Sequence, residues 1–388
     1  MTAAFVRRPA SWYGYFLIAT QIYLFNVQGN VFPFLQDEFG LSYREVSLHS
    51  SATAIGVIVT ALFGRALTVP LGRRRSLWLG AATIGAGAIL LCLAPAAWVS
   101  IASCLIIGLG GGILAAGVPA MIADLHGEGR RQALAEQAIV GYSYALIAPL
   151  LTGASVALGL GWRPAVIFPA VVAFALIGLF RKAAMPVDAP HPASRHARLP
   201  AAFWAYFCQL LFSVSLEFSV LLWASSFLER VIGFDPAAAA TWVAGFYLGV
   251  LAGRAALRVL INRLPPEVIV GTAFAIGLVG FALYWGVGQP WAAVPGIVML
   301  GVCVSPQYPV AMALALGTAP HAREQSSSYL TLAVGLAILL SPALLGTLAD
   351  LVGLNRAHLT LPILIAACAL SFTAARILSR RATEARAA

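Results

Sequence analysis

The chain has 388 residues, 61% of them hydrophobic and only 10% charged, with a formal net charge of +10 and a mean hydropathy of +0.89. A soluble domain carries about a quarter charged residues, so this composition excludes an ordinary soluble enzyme and points to a membrane protein. The basic residues lie in short gaps between apolar runs, which fits membrane-protein loops and argues against a nucleic-acid partner.

Crossing the hydrocarbon core takes about 20 residues of helix. Such runs are predicted near 12–34, 45–66, 76–96, 98–122, 132–157, 164–181, 201–226, 238–257, 267–287, 291–316, 326–349 and 357–378. The first run contains Gln21, Asn26, Gln28 and Asn30 and no small-residue cleavage site, so it reads as a span and not a removable leader. In the fourth, Gly108, Gly110, Gly111 and Gly112 lack the lysine and strand context of a phosphate loop and read as helix-packing positions. The five cysteines form no CxxC, and the six histidines, His191 and His196 among them, have no metal-ligand spacing. No cofactor or metal is expected.

Twelve spans put both termini on one side, and the basic residues orient them. With the N-terminus in the cytoplasm, twenty of the 24 lysines and arginines fall in cytoplasmic segments, leaving Arg44, Arg163, Arg230 and Arg356 outside. A Pro- and Ala-rich segment near 181–200 reads as a central linker, dividing the chain into 1–182, 183–199 and 200–388. The halves repeat. FLQDEFG at 34–40 answers FLERVIG at 227–233, and Pro149, Arg163 and Pro169 answer Pro342, Arg356 and Pro362, all at an offset of 193. GRA at 64–66 answers GRA at 253–255, and Pro119 answers Pro309. Several matches in order indicate a duplicated six-helix unit.

The stretch GRALTVPLGRRRS at 64–76 follows the second span. Its Leu67, Gly72, Arg73 and Arg74 match the pattern G-x-L-A-D-R-x-G-R-R, with Val69 in place of the acid and Pro70 in place of the next base. On these residues and the two-times-six layout, the chain resembles the major facilitator superfamily. Other signatures of that family survive in part. Gly108 and Gly110 remain in span 4, where Cys104 replaces an arginine, and Pro149 and Gly153 remain of an antiporter pattern in span 5. Pro-rich span 10 is similar to the fucose-permease-like branch. The resemblance implies an all-α membrane protein of twelve transmembrane helices in two pseudo-symmetric six-helix bundles, with spans 1, 4, 7 and 10 lining a central cavity. It also implies that the span 2–3 loop clamps a cytoplasmic gate, here rewired from Arg73 and Arg74 through Asp124 or Glu128. The plainer reading is that Arg73 to Arg75 set topology alone.

Ionisable groups at membrane depth cost roughly 2.5–3.5 kcal/mol on insertion scales, so each needs a reason. Glu217 lies roughly 15 Å deep in span 7. It continues a stripe formed by Tyr206, Gln209 and Ser213. It is the expected site for a proton, a cation or a substrate hydroxyl; a structural carboxyl bonded between helices is the alternative. Tyr23, Asn26 and Asn30 share one face of span 1, and their amides and phenol suit hydroxyl-rich or zwitterionic solutes, or else serve as helix–helix glue. In span 10, SPQYP brackets Gln307 and Tyr308 with two prolines, the signature of a broken helix at a binding site. Glu45 and His49 share a face of span 2. His49 is either a pH-sensitive part of an outer gate or is bonded to Glu45, and the second is the simpler reading.

No nucleotide-binding or hydrolytic motif is present, so a gradient would drive any flux. No Arg or Lys lies mid-span, with Arg254 and Arg376 placed near span ends, which disfavours an anionic substrate. The expectation is a non-enzymatic secondary transporter moving a small neutral or cationic solute by alternating access. Proton coupling as a symporter is expected, in a monomer in the bacterial inner membrane. A drug or metabolite exporter, or a non-transporting sensor on the same fold, are the alternatives.

Overall fold

The computed structural model describes residues 6–186 and 198–387, so most of the expected linker, with His191, Arg195 and His196, lies outside the described residues. Ten helices are long and apolar enough to cross a membrane. In chain order, with two further helices at expected positions, they are α1 (Pro9–Phe39), α2 (Tyr43–Gly64), α3 (Thr68–Leu93), α4 (Ala97–His126), α5 (Gln132–Ala157) and α6 (Arg163–Leu179). The second set is α7 (Ala201–Ile232), α8 (Pro236–Leu260), α9 (Pro266–Gly286), α10 (Pro290–Thr318), α11 (Gln325–Val352) and α12 (Leu354–Arg381). α1 is diluted by its amides, and α6 has only 17 residues. Each expected span falls on one of these helices, and no strand occurs among the described residues. Leu62, Phe63, Leu179 and Leu370 are 69–77% exposed, a surface that only a lipid environment would cover.

The chain forms two compact units, one of residues 1–191 with 236–244, the other of 192–235 with 245–388. The first turns of α8 therefore count with the first unit, where Gly153 of α5 faces Thr241; a Cβ at Gly153 would lie 1.9 Å from the Thr241 hydroxyl oxygen. In the first unit α1 packs on α5, and in the second α7 packs on α11 and α12. Between α2 and α3 the helical path runs from Tyr43 to Leu93 and breaks at Gly72, whose φ of 73° suits glycine.

Each unit is built around a very close helix crossing. A Cβ on Gly108 of α4 would lie 2.1 Å from the Thr53 carbonyl of α2, and one on Gly56 2.5 Å from the Leu105 carbonyl. In the second unit, a Cβ on Gly301 of α10 would lie 2.1 Å from the Phe246 carbonyl of α8, and one on Gly249 2.0 Å from the Val298 carbonyl. Gly56 and Gly249, like Gly108 and Gly301, stand 193 positions apart, the offset of the sequence repeat. Small residues let helix backbones touch where lipid supplies no hydrophobic drive for association.

Gly301→Val should therefore lower stability by about 1–3 kcal/mol, as overpacking does. Gly317→Ala, at an exposed helical position with nothing within 4 Å of the added carbon, should be neutral or stabilising. Thermal unfolding of the detergent-purified variants checks both.

Candidate functional site

In the second unit, α10 is interrupted at Ser305 and Pro306, between helical stretches Pro290–Val304 and Gln307–Thr318. Pro306 has no N–H to continue the ladder. The side chain of Gln307 bonds at the break: its Nε2 donates to the Cys303 carbonyl at 3.2 Å. Its Oε1 accepts from Gln209 Nε2 of α7 at 3.0 Å, so the two expected amides are joined and buried. Gln209 Oε1 is buried with no partner among the described residues. Ser213 is buried and donates to the Leu210 carbonyl of its own helix.

Glu217 is packed deep within the unit yet only half-buried, so part of its surface stays open. Arg254 of α8 lies within electrostatic range of both Glu217 and Tyr308, which is 39% exposed. Gly253 explains the approach. A Cβ there would sit 2.1 Å from the Ser305 hydroxyl oxygen, so α8 meets α10 at its broken turn and delivers Arg254 beside it. The expectation that Arg254 stands clear of the site at a helix end is thus corrected. Its backbone is six residues from the end of α8, but its long side chain reaches inward. The cluster of Gln209, Glu217, Arg254, Gln307 and Tyr308 holds one acid and one base together.

The first unit spends several of its expected site residues on structure. Tyr23 donates its hydroxyl to the Ala165 carbonyl at 2.9 Å and packs against Tyr144 and Phe168. Asn26 donates to the Ile22 carbonyl one turn back and is half-buried. Asn30 differs. It is fully buried, and neither polar atom of its amide has a protein partner among the described residues.

Glu45 does not bond His49. It completes a capping box, accepting from the Ser42 amide at 2.9 Å while its own amide donates to the Ser42 hydroxyl. His49 is fully buried, with Nδ1 2.9 Å from the Val46 carbonyl and Nε2 2.7 Å from the Ser100 hydroxyl. A carbonyl accepts only, so Nδ1 carries the proton; the Ser100 hydroxyl, also 2.8 Å from the Ala97 carbonyl, has one proton to share between that carbonyl and Nε2. Thr53, which accepts from Gln28 at 2.8 Å, donates to the His49 carbonyl and links α1 to the same network.

The arginines after Gly72 tie three segments together. Arg73, with a side chain 8% exposed, donates to Asp124 at 2.6 Å at the end of α4 and to the Pro186 carbonyl. Arg74 donates to the Arg181 and Ala183 carbonyls at the exit of α6. The side chain of Glu128, the other expected acid, lies outside the described residues, as does that of Arg65.

The sequence profile of the Major Facilitator Superfamily matches residues 12–235, more than half of the chain. The chain belongs to the Major Facilitator Superfamily. It is a multi-pass membrane protein of a transporter family. No curated protein matches it. Among solved structures it is similar to a bacterial homolog of the human lysosomal transporter Spinster, at 16% identity and a TM-score of 0.71, covering 97% of this chain and 99% of that one. It is also similar to a peptide transporter, POT, in complex with sulfate, at 14% identity, a TM-score of 0.75 and coverage of 98% and 96%. A mutant of the nucleoside transporter NupG matches at 12% identity, a TM-score of 0.73 and coverage of 94% and 99%. At such identities the likeness is one of fold.

Within the superfamily protein, two features escaped the sequence reading. Arg254 had a signal, a basic residue following the glycine that closes a helix crossing. Glu38 had only its place in FLQDEFG. It pairs with Arg163 and accepts from the Trp162 indole at 3.2 Å, while Arg163 Nε donates to the Cys92 carbonyl at 3.0 Å. That knot binds the ends of α1, α3 and α6.

Asp124→Asn should cost about 0.5–1 kcal/mol, the upper range for a partly exposed ion pair. Arg75→Gln, at an exposed position in the same loop, should change stability by less than about 0.5 kcal/mol. Thermal unfolding in detergent distinguishes the two.

Proposed function

We propose that this protein is a secondary active transporter that moves a small hydrophilic solute by alternating access, with Glu217 as the proton-coupling residue. The observation that carries the reading is the half-buried Glu217 in the middle of α7, with Arg254 and Tyr308 in electrostatic range. A carboxylate at that depth is costly unless a cation offsets it or a proton neutralises it. Arg254 supplies the first option, and the part of Glu217 that stays exposed leaves room for the second. In the deprotonated state Glu217 and Arg254 compensate each other. Proton binding at Glu217 cancels the acid and leaves Arg254 to be satisfied by the solute or by Tyr308.

The paired charges favour a solute of no net charge. Amides at Gln209 and Gln307, with the phenol of Tyr308, both donate and accept, which suits hydroxyl or amide groups and zwitterions. Arg254 weighs against a simple cation. Asn30, whose amide has no partner among the described residues, is proposed as a polar contact within the first unit. The Arg73–Asp124 pair, with Arg74 on the α6 exit, acts as a latch on the cytoplasmic side. This assignment takes both termini as cytoplasmic in a bacterial inner membrane, on the distribution of the arginines.

Proteoliposomes with an imposed pH gradient and a panel of neutral, zwitterionic, cationic and anionic solutes test the proposal. The wild type should accumulate a neutral or zwitterionic solute with accompanying proton entry. Glu217→Gln should abolish gradient-driven accumulation, by tenfold or more, while exchange of solute between the two sides persists. Accumulation by Glu217→Gln with an unchanged pH profile would remove Glu217 from coupling. Accumulation of anions alone would overturn the substrate class.

A further inference from the structure

A groove lies between the first turns of α9 and the last turns of α12, with a cavity of about 300 Å³. Its walls are apolar, with Gly271 and Phe274 on one side and Phe372 and Ile377 on the other. Its mouth is charged. Glu267 Oε1 accepts from Arg376 Nε at 2.9 Å, from Arg376 NH2 at 2.7 Å and from Arg380 NH2 at 2.9 Å. Among the described residues one carboxylate thus serves two guanidiniums, which leaves a net positive charge there. Arg380 is 68% exposed and Arg381 beside it is exposed.

We infer that this groove binds one anionic phospholipid, with its phosphate on Arg380 and Arg376 and an acyl chain against Phe274 and Phe372. Charge complementarity selects the headgroup, since a guanidinium fork grips phosphate oxygens and the single carboxylate cannot satisfy both arginines. The walls select a lipid over a soluble phosphate. Gly271 and Ile377 are exposed, and the surface continues into Val268 and Leu370, at 45% and 71% exposure, which face outward on the same two helices. A free anion gains nothing from such walls. Gly271 holds the space open, because nothing lies within 4 Å of the Cβ it lacks. None of these residues belongs to the cluster around Glu217, so the inference stands apart from the transport proposal. With the arginine-rich ends cytoplasmic, the lipid comes from the inner leaflet.

Native mass spectrometry of the full detergent-purified chain, titrated with phosphatidylglycerol or with phosphatidylcholine of the same acyl chains, tests it. Phosphatidylglycerol should be retained preferentially. Arg380→Gln should weaken that retention roughly fivefold, the loss expected for one basic side chain at a membrane surface. Glu267→Gln, which removes the competing carboxylate, should strengthen it. Gly271→Leu should weaken it by filling the groove, at a position where the first added carbon meets no neighbour within 4 Å. Soluble glycerol phosphate should not displace the lipid. Equal retention of the two lipids would overturn the inference, as would phosphatidylglycerol binding unchanged in both Arg380→Gln and Gly271→Leu. Displacement by glycerol phosphate would identify a soluble-anion site instead. If Arg380→Gln fails to fold, Glu267→Gln and Gly271→Leu still decide the outcome.

Discussion

Two helix backbones held in contact are the constraint on which each half of this protein depends. Where the Thr53 carbonyl meets Gly108, or the Phe246 carbonyl meets Gly301, a methyl group has no room. In lipid, helices gain little from hiding apolar surface from one another, so close dispersion contact and small residues must supply the association. The crossing of α8 with α10 also does chemical service. It brings the segment after Gly253 onto the broken turn at Ser305 and Pro306, and Arg254 can then act on groups that belong to α7 and α10.

Charge is distributed by the same logic. The ion pairs Arg7–Glu136, Arg73–Asp124, Arg163–Glu38 and Arg376–Glu267 all join helix ends, where a bonded charge is cheap to keep partly wet. They pin neighbouring helices of a unit without charging its middle. Glu217 and Arg254 are the exception in the interior of the second unit. The electrostatic interaction between them offsets part of the cost of holding charge there.

Much of the fold was legible because hydropathy and the arginine-rich gaps are both direct consequences of a bilayer, and a twelve-fold pattern of runs survives boundary errors of a few residues. The break at SPQYP was legible because proline removes a specific hydrogen bond. Tyr23, Glu45 and His49 were harder. Helical periodicity places them on faces but does not say which backbone carbonyl or cap each one meets, and here such partners, distant for Tyr23 and local for Glu45 and His49, took their polar atoms. Arg254 was misjudged because a residue number fixes where a backbone lies and not where a long side chain ends. The pairing of Arg73 with Asp124 needed the turn at Gly72, which the glycine itself announced.

Access supports the proposed coupling role of Glu217 over that of a histidine. The sequence offers two buried imidazoles in the spans, His49 and His358, and either would suit proton exchange on chemistry alone. Both are fully buried, and both have Nδ1 committed to a carbonyl of their own helix, Val46 and Leu354 respectively. His49 uses Nε2 on Ser100, and His358 sits with its ring centroid 4.2 Å from that of Phe227 and 6.0 Å from that of Tyr284. Neither offers a polar atom that solvent reaches, so a proton would have to cross packed side chains to arrive. Glu217 keeps an open surface, a nearby cation to stabilise its charged form and a phenol at Tyr308 in the same field. A group that changes charge during a transport cycle needs a partner for the ion and access for the proton, and of these three residues Glu217, with Arg254 in electrostatic range and part of its surface open, fits the proposed role best.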